Sequence, residues 1–241
     1  KITPEDTRWP KRLEGLKGMP PCLYVRGEIP DEEEKTIAIV GARMCSQYGK
    51  QQAFRFAKEM ARAGVSVVSG MALGVDGYAH AGALEGGGRT YAVLGCGLDI
   101  CYPEKNRRLY EEIPKRGGLI TEFSSGSKPL GKHFPLRNRI ISALADLVLV
   151  VEARAKSGSL ITADFALEQG KVVYALPGRV GDALSDGCNR LIAQGAGLAL
   201  SPGMLLEIMG AGKGINESSG KNTKMGLATD RDLVYSCVDL Q

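Results

Sequence analysis

Histidine is nearly absent: His80 and His133 are the only two in 241 residues. Neither completes a zinc-like donor pattern with the cysteines, which argues against a tetrahedral metal site. The six cysteines, Cys22, Cys45, Cys96, Cys101, Cys188 and Cys237, include no C-x-x-C pair. A chain of this length buries a core without covalent staples, so they read as reduced structural thiols of a cytosolic protein. No apolar run reaches the ~20 residues that span a bilayer, and no secretory pattern opens the chain. A membrane is therefore not an expected partner, and the cytoplasm is the expected location. The chain begins at Lys1 rather than Met, as expected of a piece of a longer protein. The net charge of +4 hardly favours an anionic partner by itself, so what matters is where the charge sits.

What is present is a regular alternation. Short β-branched runs at 36–40, 65–69, 90–94, 119–122, 147–152 and 172–176 read as buried parallel strands. Helical stretches are expected between and after them at 51–63, 75–84, 106–115, 137–145, 160–169 and 186–194. In the first of these Ala53, Phe56, Ala57 and Met60 recur at helical spacing, and Gly64 stands where glycine ends helices. The pattern predicts an α/β fold: an extended Rossmann-like, doubly wound, mostly parallel sheet filling residues 1–212. A possible edge strand precedes it at 23–26. A flexible linker is expected at 213–226, and 227–241 reads as a further helix too short to be a domain. Doubly wound sheets bind ligands beyond the carboxyl ends of their strands, so those loops are where a site is expected.

The loops lack the signatures of nucleotide cofactors. The first reads Gly41-Ala42-Arg43-Met44-Cys45-Ser46-Gln47-Tyr48-Gly49, where a dinucleotide fingerprint needs glycine at the position of Arg43. The second strand runs into Ser69-Gly70-Met71-Ala72 without the acid that holds a ribose. Gly49-Lys50 lacks the spacing of a phosphate-binding loop, and Gly95-Cys96-Gly97 lacks a third glycine. No cofactor is expected.

The same loops carry positive charge. Between 123 and 145 there is no Asp or Glu, while Lys128, Lys132, Arg137 and Arg139 fall there together. Arg43 follows the first strand, Lys105 the third, and Arg154 and Lys156 the fifth. In a parallel sheet these loops share one edge, which predicts a basic strip, although any one of them could be an ordinary solvated cation. Phe134 lies in Lys132-His133-Phe134-Pro135-Leu136-Arg137-Asn138-Arg139. Pro135 predicts that Phe134 stands on an extended segment ahead of the helix. An exposed ring beside arginines suits single-stranded nucleic acid, where bases stack and phosphates meet cations, whereas a core plug beneath the loop is the plainer alternative. Lys156-Ser157-Gly158-Ser159 opens a helix and suits either an anion or simple capping.

Six ordered segments resemble the DNA-processing protein A (DprA/Smf) family. They are Ile39-Val40-Gly41-Ala42-Arg43; Ser69-Gly70-Met71-Ala72-Leu73-Gly74-Val75-Asp76-Gly77-Tyr78-Ala79-His80; Gly95-Cys96-Gly97-Leu98-Asp99 with Tyr102-Pro103; Phe134-Pro135-Leu136-Arg137-Asn138-Arg139; Val151-Glu152-Ala153 with Ser157-Gly158-Ser159-Leu160; and Pro177-Gly178. The resemblance runs from about residue 9 to 199. It implies an extended Rossmann-like domain that binds single-stranded DNA, forms homodimers and loads RecA recombinase during natural transformation, with no catalysis. It also implies that Arg43 grips a phosphate, that Lys105 adds a basic contact, and that Phe134 stacks or wedges against a base with Arg137 and Arg139 nearby. Some family members carry lysine three positions before the phenylalanine, where this chain has Gly131, so Lys132 substitutes or the contact is missing. Members often add an N-terminal helical domain and a C-terminal winged helix, of which 227–241 would be the start.

Two enzyme-like features remain. Asp76 and His80 stand four apart, on one face of a helix, as an acid–base pair or as a packed, oriented histidine. Ser157-Gly158-Ser159-Leu160-Ile161-Thr162 loosely resembles the loop of Rossmann-like phosphoribohydrolases, which would need a carboxylate such as Glu152 or Glu168 beside it. A nucleotide-binding module without catalysis is the third reading.

Overall fold

The computed structural model describes residues 1–211. The expected linker at 213–226 and the expected winged-helix start at 227–241 lie outside the described residues. The strands are β1 (Tyr24–Gly27), β2 (Thr36–Val40), β3 (Ser66–Ser69), β4 (Thr90–Val93), β5 (Gly118–Thr121), β6 (Leu147–Val150), β7 (Val172–Ala175) and β8 (Gly197–Leu198). The helices are α1 (Gln47–Arg62), α2 (Val75–Glu85), α3 (Arg107–Glu112), α4 (His133–Ala143), α5 (Gly158–Glu168), α6 (Asp186–Ala193) and α7 (Pro202–Ile208). The strands form one sheet in the order β1-β5-β4-β3-β2-β6-β7-β8. Every neighbouring pair is parallel except β1, which runs antiparallel to β5. The expected doubly wound, mostly parallel sheet is the one observed.

Its central strands, β2 to β6, are buried along their whole length because both faces are covered. In β2 the period of two sends Ile37 and Ile39 to one side, against Ala53, Phe56 and Met60 of α1 and Val75, Ala79 and Ala83 of α2. Ala38 and Val40 face the other side, against Ile140 and Ile141 of α4, Leu144 just after it, and Ala163 and Ala166 of α5. Trp9 and Leu13 of the N-terminal segment are buried on that second side, and Ile2 bridges Leu23.

Several boundaries differ from expectation for local reasons. α1 starts at Gln47 rather than 51, because the Ser46 hydroxyl accepts from Gly49 N at 3.1 Å and caps the helix. The helix expected at 106–115 is the short α3 between two 3₁₀ turns, the second of which contains Pro114. α7, with Pro202 at its first position and Ser201 as its cap, and the two-residue β8 were not anticipated.

From β2 the chain winds outward through β3, β4 and β5, and it returns to β2's other side with β6 before continuing to β7 and β8. The winding direction therefore reverses between β2 and β6, whose ends pair as Val40 with Val150. The loops leaving these two strands must diverge, and a crevice opens between them. Among the described residues no helix is long and apolar enough to cross a membrane.

Candidate nucleic-acid interface

A crevice of about 530 Å³ occupies that reversal point. Its walls are the loop after β2 (Gly41 to Met44), the start of α4 (Phe134, Pro135, Arg137, Asn138) and the loop from β6 into α5 (Arg154 to Ser159). Tyr102 closes one side, and Asp76, Ile141 and Thr162 lie at the floor.

Phe134 is in the first turn of α4, not on an extended segment ahead of it. Pro135 is tolerated there because the first backbone N–H groups of a helix have no intrahelical acceptor to lose. The ring is half-buried, neither a core plug nor free. It packs 5.4 Å from the Tyr102 ring, and the exposed Arg43 guanidinium lies over it at 5.0 Å from the centroid. Gly95 makes this seat possible, since a Cβ there would stand 2.9 Å from Phe134 Cδ1. Gly74 fixes the Arg43 loop from below. It adopts φ +77°, which glycine alone takes readily, and a Cβ would meet the carbonyl oxygens of Ala42 and Arg43 at 2.3 and 2.4 Å.

Arg137 and Arg139 are not rim cations, contrary to the expectation that they present charge to a ligand. Arg137 is 3% exposed beneath the crevice. Its Nη1 donates to Gly70 O at 2.6 Å and to Val93 O, and its Nε donates to Asn138 Oδ1 at 3.0 Å. It thus joins the ends of β3 and β4 to α4. Burial pulls its guanidinium down to about 10, still charged at neutral pH. Asp76 lies close enough to feel that charge. Its own burial raises the carboxyl, against the opposing pull of Arg137 and Arg43. Arg139, 7% exposed, does not line the crevice at all. It forms a two-pronged ion pair with Glu122, at 2.6 and 2.8 Å, and donates to Gly18 O at 2.6 Å. Glu122 stands one position outside the acid-free stretch, so a linear count of charge misses the partner.

The other expected residues hold the crevice rim and its flank. Lys156 is exposed on the wall. Ser157 is the N-cap of α5 and accepts from Ser159 N at 3.4 Å, so its hydroxyl serves the helix first. Asn138, which the sequence did not single out, donates to Gly158 O at 3.1 Å and aligns α5 with α4. Lys105 is exposed in a 3₁₀ turn just outside the crevice, between Tyr102 on its wall and Asn106. Lys132 is exposed at the N-cap of α4 and does not line the crevice. Among the described residues no ion pair involves Arg43, Lys105, Lys132, Arg154 or Lys156. Such unpaired cations retain their full attraction for phosphate.

The enzyme-like features resolve into structure. Glu152 is buried and spends its carboxylate on the start of α1, accepting from Ser46 N at 2.8 Å and from the Ser46 hydroxyl. Glu168 is exposed at the far end of α5. His80 is fully buried, with Nδ1 2.7 Å from Thr90 Oγ1. Because the Thr90 hydroxyl donates to Val67 O, Nδ1 carries the proton, and burial holds the ring neutral with a pKa of about 3. This is the packed, oriented histidine rather than half of an acid–base pair.

A family model described as DNA recombination-mediator protein A matches residues 1–210. Protein Smf of Synechocystis sp. is 40% identical over 214 residues, which covers 87% of this chain but only 54% of that protein. The chain thus spans little more than half the length of this relative. Among solved structures, DNA processing protein A from Streptococcus pneumoniae matches with a TM-score of 0.81 and 39% identity, over 86% of this chain and 72% of the other. DNA processing protein A from Helicobacter pylori matches with a TM-score of 0.75 and 34% identity, over 83% and 92%. That structure is described as giving insight into a single-stranded DNA binding mode.

Proposed function

The chain belongs to the DNA recombination-mediator protein A family, and on that footing we propose that it binds single-stranded DNA in the crevice between β2 and β6. The observation that carries this reading is the convergence of Arg43, Arg154 and Lys156, none of them ion-paired among the described residues, around the half-buried ring of Phe134. Arg43 and Lys156 meet phosphates, and Lys105 and Lys132 extend the attraction beyond the crevice. Phe134 stacks on a base. Ser157 adds a contact from the start of α5. Arg137 supports the site from below rather than touching the strand. A duplex hides its base faces from such a ring, so a single strand is preferred.

The domain acts by binding and not by catalysis, a reading supported by the commitment of Glu152 to a helix cap and the seclusion of His80. In the cell it works in the cytoplasm as a homodimer. It protects incoming single strands and hands them to RecA recombinase during natural transformation, as the family resemblance implies. One titration compares a labelled oligothymidine, the corresponding duplex and AMP. The expected order is tight, weak and negligible binding. AMP binding equal to that of the oligomer, or release of base from a nucleoside monophosphate, would replace this reading with a nucleotide site.

A further inference from the structure

The crevice does not end the cationic and aromatic surface. Tyr102, 42% exposed, continues the surface from Phe134, with the two ring centroids 5.4 Å apart. The next residues along the chain turn back toward α2. Asn106 donates to Met71 O at 2.8 Å and to Ala72 O at 3.1 Å, and a Cβ on Gly77 would lie 3.4 Å from the Asn106 amide. Lys105 is therefore held beside the first turn of α2. There Tyr78 projects 38% exposed, although the helix buries Asp76 and Gly77 just before it and Ala79 and His80 just after. Lys50 of α1 reaches across, with its ammonium over the Tyr78 ring at 5.9 Å. Neither Lys50 nor Lys105 joins an ion pair among the described residues, and the one acid on the turn, Glu104, is matched by Arg107.

We propose that the strand leaving the crevice runs over this second strip, stacking a base on Tyr78 with a neighbouring phosphate at Lys50. The inference rests on the single-strand reading of the crevice and adds a path to it. Alternating exposed rings and unpaired ammonium groups match the alternation of bases and phosphates along a single strand. Lys50, Tyr78 and Lys105 lie outside the crevice lining, so the strip adds affinity only to strands long enough to leave the crevice.

The test uses labelled oligothymidines of about 6 and about 20 nucleotides. Tyr78→Ala should weaken binding of the longer strand about tenfold and leave the shorter one unchanged, with Tyr78→Phe restoring it. Lys50→Ala should lower the salt slope by about 0.7 for the longer strand only. Unchanged binding of the longer strand by Tyr78→Ala overturns the path and leaves the crevice reading standing. Equal loss for both lengths, not restored by phenylalanine, also overturns it and points to a packing defect. Failure of the unmodified protein to bind either length removes both readings.

Discussion

A guanidinium enclosed by protein is held there by its hydrogen bonds, and removing it leaves its partners buried without it. Arg139 illustrates this, tied to Glu122 and Gly18 O. Arg139→Ala is expected to lower folding stability by about 3–5 kcal/mol, read from denaturant unfolding, without altering the salt dependence of DNA binding. A changed salt slope at full stability would return this side chain to the interface. His80 makes a second prediction. Its folded pKa of about 3 lies below the 6.5 of the free side chain, so at acid pH the unfolded chain takes up a proton that the folded protein refuses. The stability is present above pH 6.5 and is lost as pH falls from there toward 3, at about 1.4 kcal/mol per pH unit. His80→Phe should abolish this slope even if it lowers stability overall, and an unaltered slope would locate the titration elsewhere. At this scale the sequence was informative about position, since Arg43, Lys156 and Phe134 all line the crevice at the carboxyl ends of the strands. It misled where burial decides: Arg137 and Arg139 carry the charge of ligand-binding residues but share α4 with Ile140 and Ile141, and the fold draws that whole stretch inward.

Elements place those side chains. The strands were legible because a sheet covered on both sides needs uninterrupted apolar runs, and β2 and β6 supply them from Ile37 to Val40 and from Leu147 to Val150. The beginning of α4 was not, because a proline reads equally as the end of an extended segment and as a first-turn residue. The two-residue β8 pairs with β7 through tertiary placement and has no periodicity to betray it. The seat of Phe134 joins α4 to the loop after β4, and Gly95 is its hinge point. Gly95→Ala should push the ring aside and weaken oligothymidine binding by about 1–3 kcal/mol, much as Phe134→Ala would, while the thermal midpoint moves little. Unchanged affinity in both variants would mean that the ring is packing alone.

For the whole molecule the decisive feature is topological. Net charge is only +4, yet a reversal of winding between β2 and β6 brings loops more than 100 residues apart to opposite walls of one crevice. That convergence was legible in outline, since alternating strands and helices imply a parallel sheet and a parallel sheet implies a shared loop edge. Which cations reach the opening was not, because that depends on contacts such as those of Glu122 and Gly70 with α4. In the proposed complex Arg43 and Lys156, from opposite walls, each neutralise a phosphate of one bound strand. The most direct measurement is oligothymidine affinity over a range of salt concentrations for the unmodified protein and the Arg43→Ala, Lys156→Ala double variant. The double variant should bind more weakly, with a log–log slope shallower by about 1.4, one increment of about 0.7 for each lost contact. An unchanged slope and affinity would contradict that arrangement.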